Sequence, residues 1–316
     1  MTETTGDPEI IDYDEFSLFG ENIAEYDLDV DEIPPVERAD VGLPHDPGRH
    51  VSALRWGAHE PEVVFVHGGA QNAHTWDTVA LALGRSAVAI DLPGHGHSHW
   101  RDDGAYDPIH LADDIAPVMA DLAPDARLLV GMSLGGLTSM EVAARHPSLV
   151  RHLVMVDITP GVNAQKAKAV IDFVDGPQKF ERFDDLLART IEHNPTRSES
   201  SLRRGILHNA AQAPDGSWQW RYDRSSHART RPSDELDDEQ RRPAPDTSPL
   251  WDDLASIRCP ITLVRGSVSP VVDDDDVAET RRRQPDVDVR VVDGAGHSIQ
   301  GDRPVELAAI LAELLG

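Results

Sequence analysis

The chain has 316 residues, 40% of them hydrophobic, so it is long and apolar enough to fold as one large domain with an insertion. Its formal net charge of −27 disfavours nucleic acid and anionic membrane surfaces as partners, because both are polyanions. No apolar run reaches the length of a spanning helix, and the acidic N-terminus lacks the apolar region of a secretory signal. We therefore expect a cytoplasmic protein without a membrane span.

The first predicted element is an acidic N-terminal arm, residues 1–35, which shows little periodicity and ends at two consecutive prolines. A segment of this composition buries too little apolar surface to fold alone, so we expect a flexible arm. Two predicted strands follow, at 36–41 and 49–56, and a turn that contains glycine and proline joins them.

Short apolar runs then alternate with helical stretches. Such runs are typical of parallel strands that are buried on both faces. They occur at residues 63–66, 87–90, 127–130, 152–156, 261–264 and 287–292. The predicted helices include one that begins at the Asp107 cap and Pro108, one at 137–145 and one at 304–315. This alternation predicts an α/β fold with a mostly parallel, doubly wound sheet.

Residues 160–249 interrupt the alternation, since they are rich in Arg, Asp, Ser and Pro and lack the apolar runs of strands. We interpret them as a mostly helical insertion, or lid. The core domain is then made of residues 36–159 and 250–316.

The strongest single motif is Gly131-Met-Ser-Leu-Gly135, which matches the pattern Gly-x-Ser-x-Gly. A predicted strand precedes it and a predicted helix follows it, as a nucleophile elbow requires. A serine on such a sharp turn crowds its neighbours, so the flanking positions must be nearly free of side chains. The helix N-terminus behind the serine also favours developing negative charge. These features predict that Ser133 is a nucleophile.

Four motifs in chain order resemble the α/β-hydrolase superfamily, from about residue 36 to the end of the chain. They are Val-His-Gly-Gly at 66–69, Asp-Leu-Pro-Gly-His-Gly-His-Ser at 91–98, the elbow, and Gly-Ala-Gly-His-Ser at 294–298. The resemblance implies an α/β-hydrolase fold with a lid insertion. It also implies that the general base for Ser133 is His297, because the family places its histidine in the loop after the last strand.

The acid of the triad departs from the pattern that is commonest among relatives. The usual segment Gly-x-x-Asp-Pro reads Gly-Ser-Val-Ser-Pro here, with Ser269 where the aspartate would stand. One replacement is Asp157, at the carboxyl end of a predicted strand, a position that some members use. The others are Asp273, Asp274 and the two acids after them, which alternatively form a solvated helix N-terminus. We favour Asp157.

Acyl transfer also requires donors for the oxyanion of the tetrahedral intermediate. The elbow predicts the backbone N–H of Leu134, the residue after the nucleophile, as one donor. The other is predicted at Gly69, where glycine lets the backbone approach the substrate closely. We expect His67, Trp76 and Trp100 to line the pocket, with a place in the core as the alternative for the two tryptophans.

Together these motifs predict a serine hydrolase that cleaves carboxylic esters through an acyl-enzyme. Its expected partner is a small-molecule substrate with an apolar part, while the substrate itself and the oligomeric state stay open. C–C bond hydrolysis, perhydrolysis and lyase reactions on the same fold and triad are alternatives that fold analogy leaves open. A non-catalytic binding protein is disfavoured, because Ser133 and His297 are both present.

No cofactor and no metal are predicted. The string His95-Gly-His-Ser-His99 suggests zinc, but Trp-Arg stands where metallohydrolases of this kind need Asp-His. The single cysteine, Cys259, excludes an intrachain disulfide and a Cys-rich zinc site. The acid excess, with only three lysines, fits either a halophilic proteome or a GC-rich genome, and we favour the genome.

Overall fold

The computed structural model describes residues 10–224, 247 and 249–316. Its strands are β1 (Val36–Leu43), β2 (Asp46–Trp56), β3 (Val63–Val66), β4 (Ala87–Ile90), β5 (Leu128–Met132), β6 (Leu153–Val156), β7 (Lys179–Phe180), β8 (Ala210–Gln212), β9 (Trp218–Trp220), β10 (Ile261–Gly266) and β11 (Asp288–Val292). Eight of these described strands form one sheet with the order β1-β2-β4-β3-β5-β6-β10-β11. In it β2 runs antiparallel to both neighbours and the other pairs are parallel.

Helices cover both faces of this sheet. The described helices are α1 (Phe19–Tyr26), α2 (Asp77–Leu83), α3 (Pro108–Leu122), α4 (Leu134–Arg145), α5 (Lys168–Val174), α6 (Phe183–His193), α7 (Glu199–Asn209), α8 (Leu250–Ser256), α9 (Asp274–Arg283), α10 (Ile299–Asp302) and α11 (Pro304–Leu315), with a 3-10 turn at Ala73–Trp76. Of these, α5, α6 and α7 belong to the insertion and not to the layers on the sheet. The predicted start of α3 is confirmed, since the Asp107 carboxylate accepts from the backbone N–H groups of Ile109 and His110.

Alternate residues of the buried strands face two different helix layers. In β3, Val64 and Val66 belong to a core that includes residues of α3 and α4, whereas Val63 and Phe65 belong to a core that includes α2 and α11. Burial on both sides explains why these strands are continuous apolar runs in the sequence. The mostly parallel, doubly wound sheet predicted from those runs is confirmed.

The N-terminal segment differs from the flexible arm expected for residues 1–35. Residues 10–35 contain α1 and lie against the core. Phe19 is only 2% exposed, and its ring centroid is 4.8 Å from that of Trp56. The expectation is wrong for these residues, because the apolar face of α1 is short and is not apparent in a sequence with so many acidic residues. Residues 1–9 lie outside the described residues.

The insertion between β6 and α8 combines helices with a small sheet. It contains the helices α5, α6 and α7, and β7, β9 and β8 form a three-stranded antiparallel sheet that the sequence does not predict. Strands of two or three residues are too short to show a period of two. The bounds 160–249 stay a prediction, and residues 225–246 and 248 lie outside the described part of the chain.

The strands β3, β5, β6 and β10 are parallel, so their carboxyl ends lie at one edge of the sheet, together with that of β11. The loops that leave this edge carry Gly69, Ser133, Asp157 and His297. The insertion starts from the same edge, since it follows β6. Among the described helices, none is long and apolar enough to cross a membrane.

Candidate active site

Ser133 stands on the tight turn between β5 and α4. Its φ of 52° and ψ of −122° are rarely adopted by a residue with a side chain, as expected for a strained elbow. A Cβ atom at Gly131 would lie 2.3 Å from the carbonyl oxygen of Gly135, and one at Gly135 would lie 2.3 Å from that of His67. Close backbone contacts therefore require both glycines, as the motif predicts.

His297 reaches Ser133 from the loop after β11. Its Nε2 lies 3.1 Å from the Ser133 Oγ, and only 15% of the His297 side chain is exposed. Asp302 fixes the loop, because its Oδ2 accepts a hydrogen bond from the Gly296 N–H at 2.7 Å. The imidazole is thus held within reach of the serine hydroxyl and is largely shielded from water.

Asp157 lies on the other side of the imidazole. It follows β6 with a φ of 51°, and its side chain is fully buried. Its Oδ2 accepts from His297 Nδ1 at 2.8 Å and from Ser269 Oγ at 2.5 Å, while its Oδ1 accepts from the Gly266 N–H at 2.9 Å. A buried carboxylate needs donors of this kind. Ser269, which replaces the usual aspartate, therefore contacts the acid instead of supplying it.

The alternative acids lie elsewhere, at the start of α9. Asp273 caps this helix and pairs with Lys166 at 2.9 Å. Asp274 is exposed and pairs with Arg265 at 2.7 Å. Within the described residues no hydrogen bond joins either carboxylate to His297, so the structure does not support either as the acid. They are charges at a helix N-terminus, where the helix dipole favours them.

Buried hydrogen bonds fix the turn after β3. His67 Nδ1 donates to the Gly68 carbonyl at 2.7 Å, which also orients the Gly69 N–H, because C=O and N–H of one planar peptide point in opposite directions. The Ala70 N–H donates to His95 Nε2 at 3.1 Å. Burial lowers the pKa of His95 to about 3, so this ring stays neutral and accepts. In the described chain the Gly69 N–H has no such partner.

The second predicted donor is also available. Leu134 is the first residue of α4, where the hydrogen-bond ladder of the helix provides no acceptor for its N–H. The insertion contacts the turn after β3, since Asn209 at the end of α7 donates from Nδ2 to the Ala70 carbonyl at 2.7 Å. The sequence does not predict this contact, because no motif marks Asn209.

The three residues predicted to line the pocket do not line it. His67 and Trp76 are fully buried, and Trp76 stacks on Phe65 with ring centroids 4.8 Å apart. Trp100 is 50% exposed and lies outside the pocket. The expectation fails because an aromatic residue beside a motif serves the core as well as a pocket, and the sequence does not show which way it faces.

The pocket itself has a volume of about 260 Å³ and lies between the core and the insertion. Ser133, His297 and Gly69 are in its wall. The insertion contributes Lys166, Ala169, Val170, Phe173, Val174, His193, Asn194, Pro195 and Thr196. A cavity of this size, with mostly uncharged walls, suits a small molecule. The sequence placed the insertion over the core but not these individual residues.

A buried cluster of His74, Asp77 and His208 is the described group that most resembles a metal site, since its possible ligand atoms lie within 4.8 Å of one another. The two imidazole rings are stacked, with centroids 3.9 Å apart and planes 10° apart, so their in-plane lone pairs do not converge on one ion. His74 also donates to Asp77 at 2.9 Å and to Glu15 at 3.3 Å. Burial lowers the pKa of His74, but these carboxylates outweigh it and raise the pKa to about 9. The cluster is a buried ion pair.

The histidines of the segment 95–99, which suggested zinc in the sequence, make other contacts in the structure. His95 Nδ1 lies 3.1 Å from the Pro93 carbonyl, and its other nitrogen accepts from the turn described above. The ring of His99 packs on that of His50, with centroids 3.8 Å apart. Two of the three rings therefore have roles in local structure, and the lack of a metal requirement stays a prediction.

Comparisons with known proteins agree with this architecture. A family model described as the alpha/beta hydrolase family matches residues 63–310. The esterase Rv0045c of Mycobacterium tuberculosis is 42% identical over 316 residues, which cover 98% of each chain. A solved structure of that esterase, described together with its inhibition by transition metals, has a TM-score of 0.82 at 43% identity and covers 96% of this chain and 99% of that one.

A second relative is the 2-(acetamidomethylene)succinate hydrolase of Mesorhizobium japonicum. It is 30% identical over 270 residues, which cover 84% of this chain and 92% of the relative. Both relatives therefore match the core and the insertion together.

Proposed function

This chain belongs to the alpha/beta hydrolase family and is an esterase-type hydrolase, and we propose that Ser133, His297 and Asp157 form its catalytic triad. The supporting observation is the continuous series of contacts from the Asp157 carboxylate through the imidazole to the Ser133 hydroxyl, at 2.8 and 3.1 Å. A base within hydrogen-bond reach of a serine, itself oriented by a third group, activates an otherwise weak nucleophile.

Acylation is the first step of the proposed reaction. The Ser133 Oγ attacks the ester carbonyl carbon while His297 Nε2 takes the hydroxyl proton. Asp157 stays ionised, keeps the proton on Nδ1 in the neutral ring and stabilises the imidazolium. When the tetrahedral intermediate collapses, the carbonyl–oxygen bond to the alcohol breaks and the histidine proton moves to the leaving oxygen. The acyl group remains on Ser133.

Deacylation repeats the same proton transfers with water. His297 takes a proton from a water molecule that attacks the acyl carbon, and it returns that proton to the Ser133 Oγ as the second intermediate collapses. The products are a carboxylic acid and an alcohol, and the enzyme is restored. Asp157 holds the imidazole in one orientation through both steps.

The oxyanion of both intermediates is proposed to bind the N–H groups of Gly69 and Leu134. The hydrogen bond from His67 to the Gly68 carbonyl and the elbow conformation of Ser133 orient these donors before substrate arrives. Preorganised donors of this kind stabilise the transition state more than the ground state, because the negative charge develops only as the bond forms.

The proposed substrate is a small carboxylic ester with an apolar part. The pocket walls around the triad include the apolar side chains of Met132, Val170, Phe173 and Val271. Burial of apolar substrate surface against such walls contributes binding energy without a requirement for precise geometry. The insertion, residues 160–249, is proposed as the lid, since it supplies one side of this pocket.

Labelling with a fluorophosphonate tests the proposal. The probe should attach to Ser133, and Ser133→Ala should abolish labelling and lower turnover of a neutral ester by more than about 10⁴-fold. The exposed Ser256 provides a matched control, because Ser256→Ala removes a hydroxyl that is not in the pocket wall and should leave both readouts unchanged. Unchanged turnover in Ser133→Ala, with cooperative unfolding retained, would contradict the serine-hydrolase function.

A further inference from the structure

A second cavity adjoins the catalytic pocket. It has a volume of about 120 Å³, and the two share the wall residues Ala70, Gln71, Phe173 and Asn194. The walls of this side cavity come from the N-terminal segment, the core and the insertion, and most of them are polar. A substituent of a substrate bound at Ser133 would enter the side cavity by passing these shared residues.

The walls of the side cavity contain several buried polar atoms without a hydrogen-bond partner in the described part of the chain. They are Asp77 Oδ1, Arg197 Nε, His208 Nε2 and Gln300 Oε1. Buried polar groups are normally paired, because an unpaired one loses its contacts with water and gains none in return. Asp77 Oδ1 and Gln300 Oε1 can only accept, whereas Arg197 Nε can only donate, so the Arg197 side of the cavity is the one that suits an anionic ligand group.

Arg197 is a positively charged wall residue whose side chain is only partly exposed and whose Nε is buried without a hydrogen-bond partner among the described residues. It lies between α6 and α7, and its Nη2 donates to Ser201 Oγ at 2.8 Å. No carboxylate of the described residues lies within ion-pair distance of it, and Asp302 attracts it only from farther away. Burial lowers the pKa of Arg197, yet a guanidinium keeps its proton at neutral pH. A positive charge therefore faces this cavity without a paired anion.

Arg204, the other guanidinium in the wall, differs in this respect. It forms an ion pair with Glu25 and a longer one with Glu21 at 3.7 Å, so acids of the N-terminal segment neutralise it. Arg197 instead lies against the backbone of Gly301, where a Cβ atom would be 2.8 Å from its Cζ. The chain thus provides space for the Arg197 guanidinium but no acid to pair with it.

We propose that the side cavity is a subsite for a carboxylate carried by the substrate, with Arg197 as its counter-ion. The inference rests on the proposed esterase function, which holds the reacting carbonyl at Ser133. A carboxylate can accept two parallel hydrogen bonds from one guanidinium. The volume equals the share of about four water molecules, which is enough for a carboxylate and a short stem. The substrate class is a small ester whose acyl or alcohol part ends in a carboxylate.

A matched pair of esters tests the subsite. 4-Nitrophenyl hydrogen glutarate carries the carboxylate, and 4-nitrophenyl methyl glutarate is its neutral partner of the same acyl length. The ratio of kcat/KM for the anionic ester to that for the neutral ester should fall by about 10- to 100-fold in Arg197→Gln, the range expected for loss of a charged hydrogen bond. Arg197→Lys, which keeps the charge, should restore part of the ratio.

Arg203 gives the control, because it lies close to Arg197 in the sequence, on α7, and is exposed. Arg203→Gln removes the same charge from the protein and should leave the ratio unchanged. An unchanged ratio in Arg197→Gln, or an equal change in both variants, would overturn the subsite. Calorimetric binding of glutarate to the wild type and to Arg197→Gln decides the subsite separately from catalysis. Failure of both esters to react, with glutarate still bound through Arg197, would overturn the esterase function alone.

If Arg197→Gln does not fold, the wild-type enzyme still decides the matter. A protein with a net charge of −27 repels an anionic substrate at long range. Without the subsite, the enzyme would therefore have the higher kcat/KM for the neutral ester. The subsite predicts that the anionic ester has a kcat/KM at least equal to that of the neutral one. A higher kcat/KM for the neutral ester would overturn it.

Discussion

Ser269 Oγ and Asp157 Oδ2 lie 2.5 Å apart, although the two residues follow different strands. Asp157 follows β6, and Ser269 follows β10, which pairs with β6 in parallel. Since neighbouring parallel strands end side by side, a carboxylate at either position can reach the same imidazole nitrogen. The position of the acid can therefore differ between relatives while its contact with the histidine is kept.

Replacement of the acid tests this interpretation. Asp157→Asn keeps the shape of the side chain but presents the wrong partner to His297 Nδ1, so turnover of a neutral ester should fall by about 10²- to 10⁴-fold. Asp273→Asn removes a charge that caps α9 and should cost less than about tenfold. Steady-state kinetics on both variants, with unfolding curves to confirm the fold, measure the difference. A larger loss in Asp273→Asn would reverse the assignment.

A second substitution extends the same experiment. Ser269→Asp in the Asp157→Asn background returns a carboxylate to the same contact region and should recover at least about tenfold of the lost turnover. In the wild-type background Ser269→Asp should not help, because two carboxylates that share one site raise the pKa of one of them. No recovery in the double variant would show that the two positions do not reach the same face of His297.

The buried ion pair of His74 makes the stability of the protein depend on pH. Contacts with Asp77 and Glu15 raise the pKa of His74 from 6.5 to about 9 in the folded state. Between these values the folded chain binds more protons than the unfolded chain, so this contribution is complete below pH 6.5 and is lost as the pH rises through 9. The free energy of unfolding should therefore fall between pH 6.5 and 9.

The variant His74→Gln isolates this effect. Its difference in unfolding free energy from the wild type should shrink steadily over the same pH window, as measured by urea denaturation. His110, which is exposed and pairs with the exposed Asp107, is the control, and His110→Gln should show no such trend. A difference that stays constant with pH would mean that His74 is neutral in the folded state.

Particular residues show how far the sequence predicts the candidate site. The structure brings Ser133, His297 and Asp157 together as the motifs and the strand ends predict, because their spacing is set by the order of parallel strands. The side chains of His67, Trp76 and Trp100 were misplaced, since burial depends on packing partners from distant parts of the chain. A catalytic turn of the backbone restricts the residue types at fixed positions and can therefore be recognised as a sequence motif. Side-chain packing imposes no such local pattern.

The same distinction holds for whole elements. The predicted runs 63–66 and 87–90 coincide with β3 and β4, and 261–264 falls within β10. The helix α1 and the small sheet of the insertion escape prediction because each is shorter than the pattern that would reveal it. Strands that are buried on both sides can be recognised as continuous apolar runs even when they have four residues, whereas a two-turn amphipathic helix and strands of two or three residues depend on tertiary contacts.

The N-terminal segment joins the insertion to the core. Tyr13 OH lies 2.7 Å from His208 Nδ1 of α7, and the carboxylate of Glu25 binds Arg204 of the same helix. On the core side Phe19 packs on Trp56. These contacts on both sides mean that the segment fixes one end of the proposed lid relative to the sheet.

A substitution of Phe19 tests whether this docking stabilises the fold. Phe19→Ala removes a ring that is 2% exposed and should lower the free energy of unfolding by about 3–5 kcal/mol, the usual cost of a large cavity in a core. Ile10→Ala, at a residue that is 57% exposed, should change it by less than about 0.5 kcal/mol. Denaturant unfolding followed by circular dichroism measures both. Equal small effects would indicate that the segment does not stabilise the core.

The 56 acidic residues outnumber the 29 basic ones, and arginines supply most of the positive charge. Many of these arginines pair with acids on the surface, as Arg145 does with Asp113 at 2.9 Å and Arg290 does with Asp288 at 2.7 Å. Each exposed pair contributes only about 0–1 kcal/mol. The unpaired acid excess therefore dominates the electrostatic response of the folded protein, and it acts as net self-repulsion.

Salt should consequently stabilise this protein. Added ions screen the repulsion, and since the Debye length is already about 10 Å at 0.1 M and about 3 Å at 1 M, most of the effect should be complete by about 0.5 M. We expect the Tm to rise between 10 mM and 0.5 M sodium chloride and then to level off, as measured by calorimetry. Potassium chloride at equal ionic strength is the control and should give the same curve, because screening depends on charge and concentration only. A Tm that continues to climb steeply at several molar salt would favour a halophilic adaptation over genome composition as the origin of the acid excess, and a Tm that falls with salt would show that ion pairs outweigh the net charge.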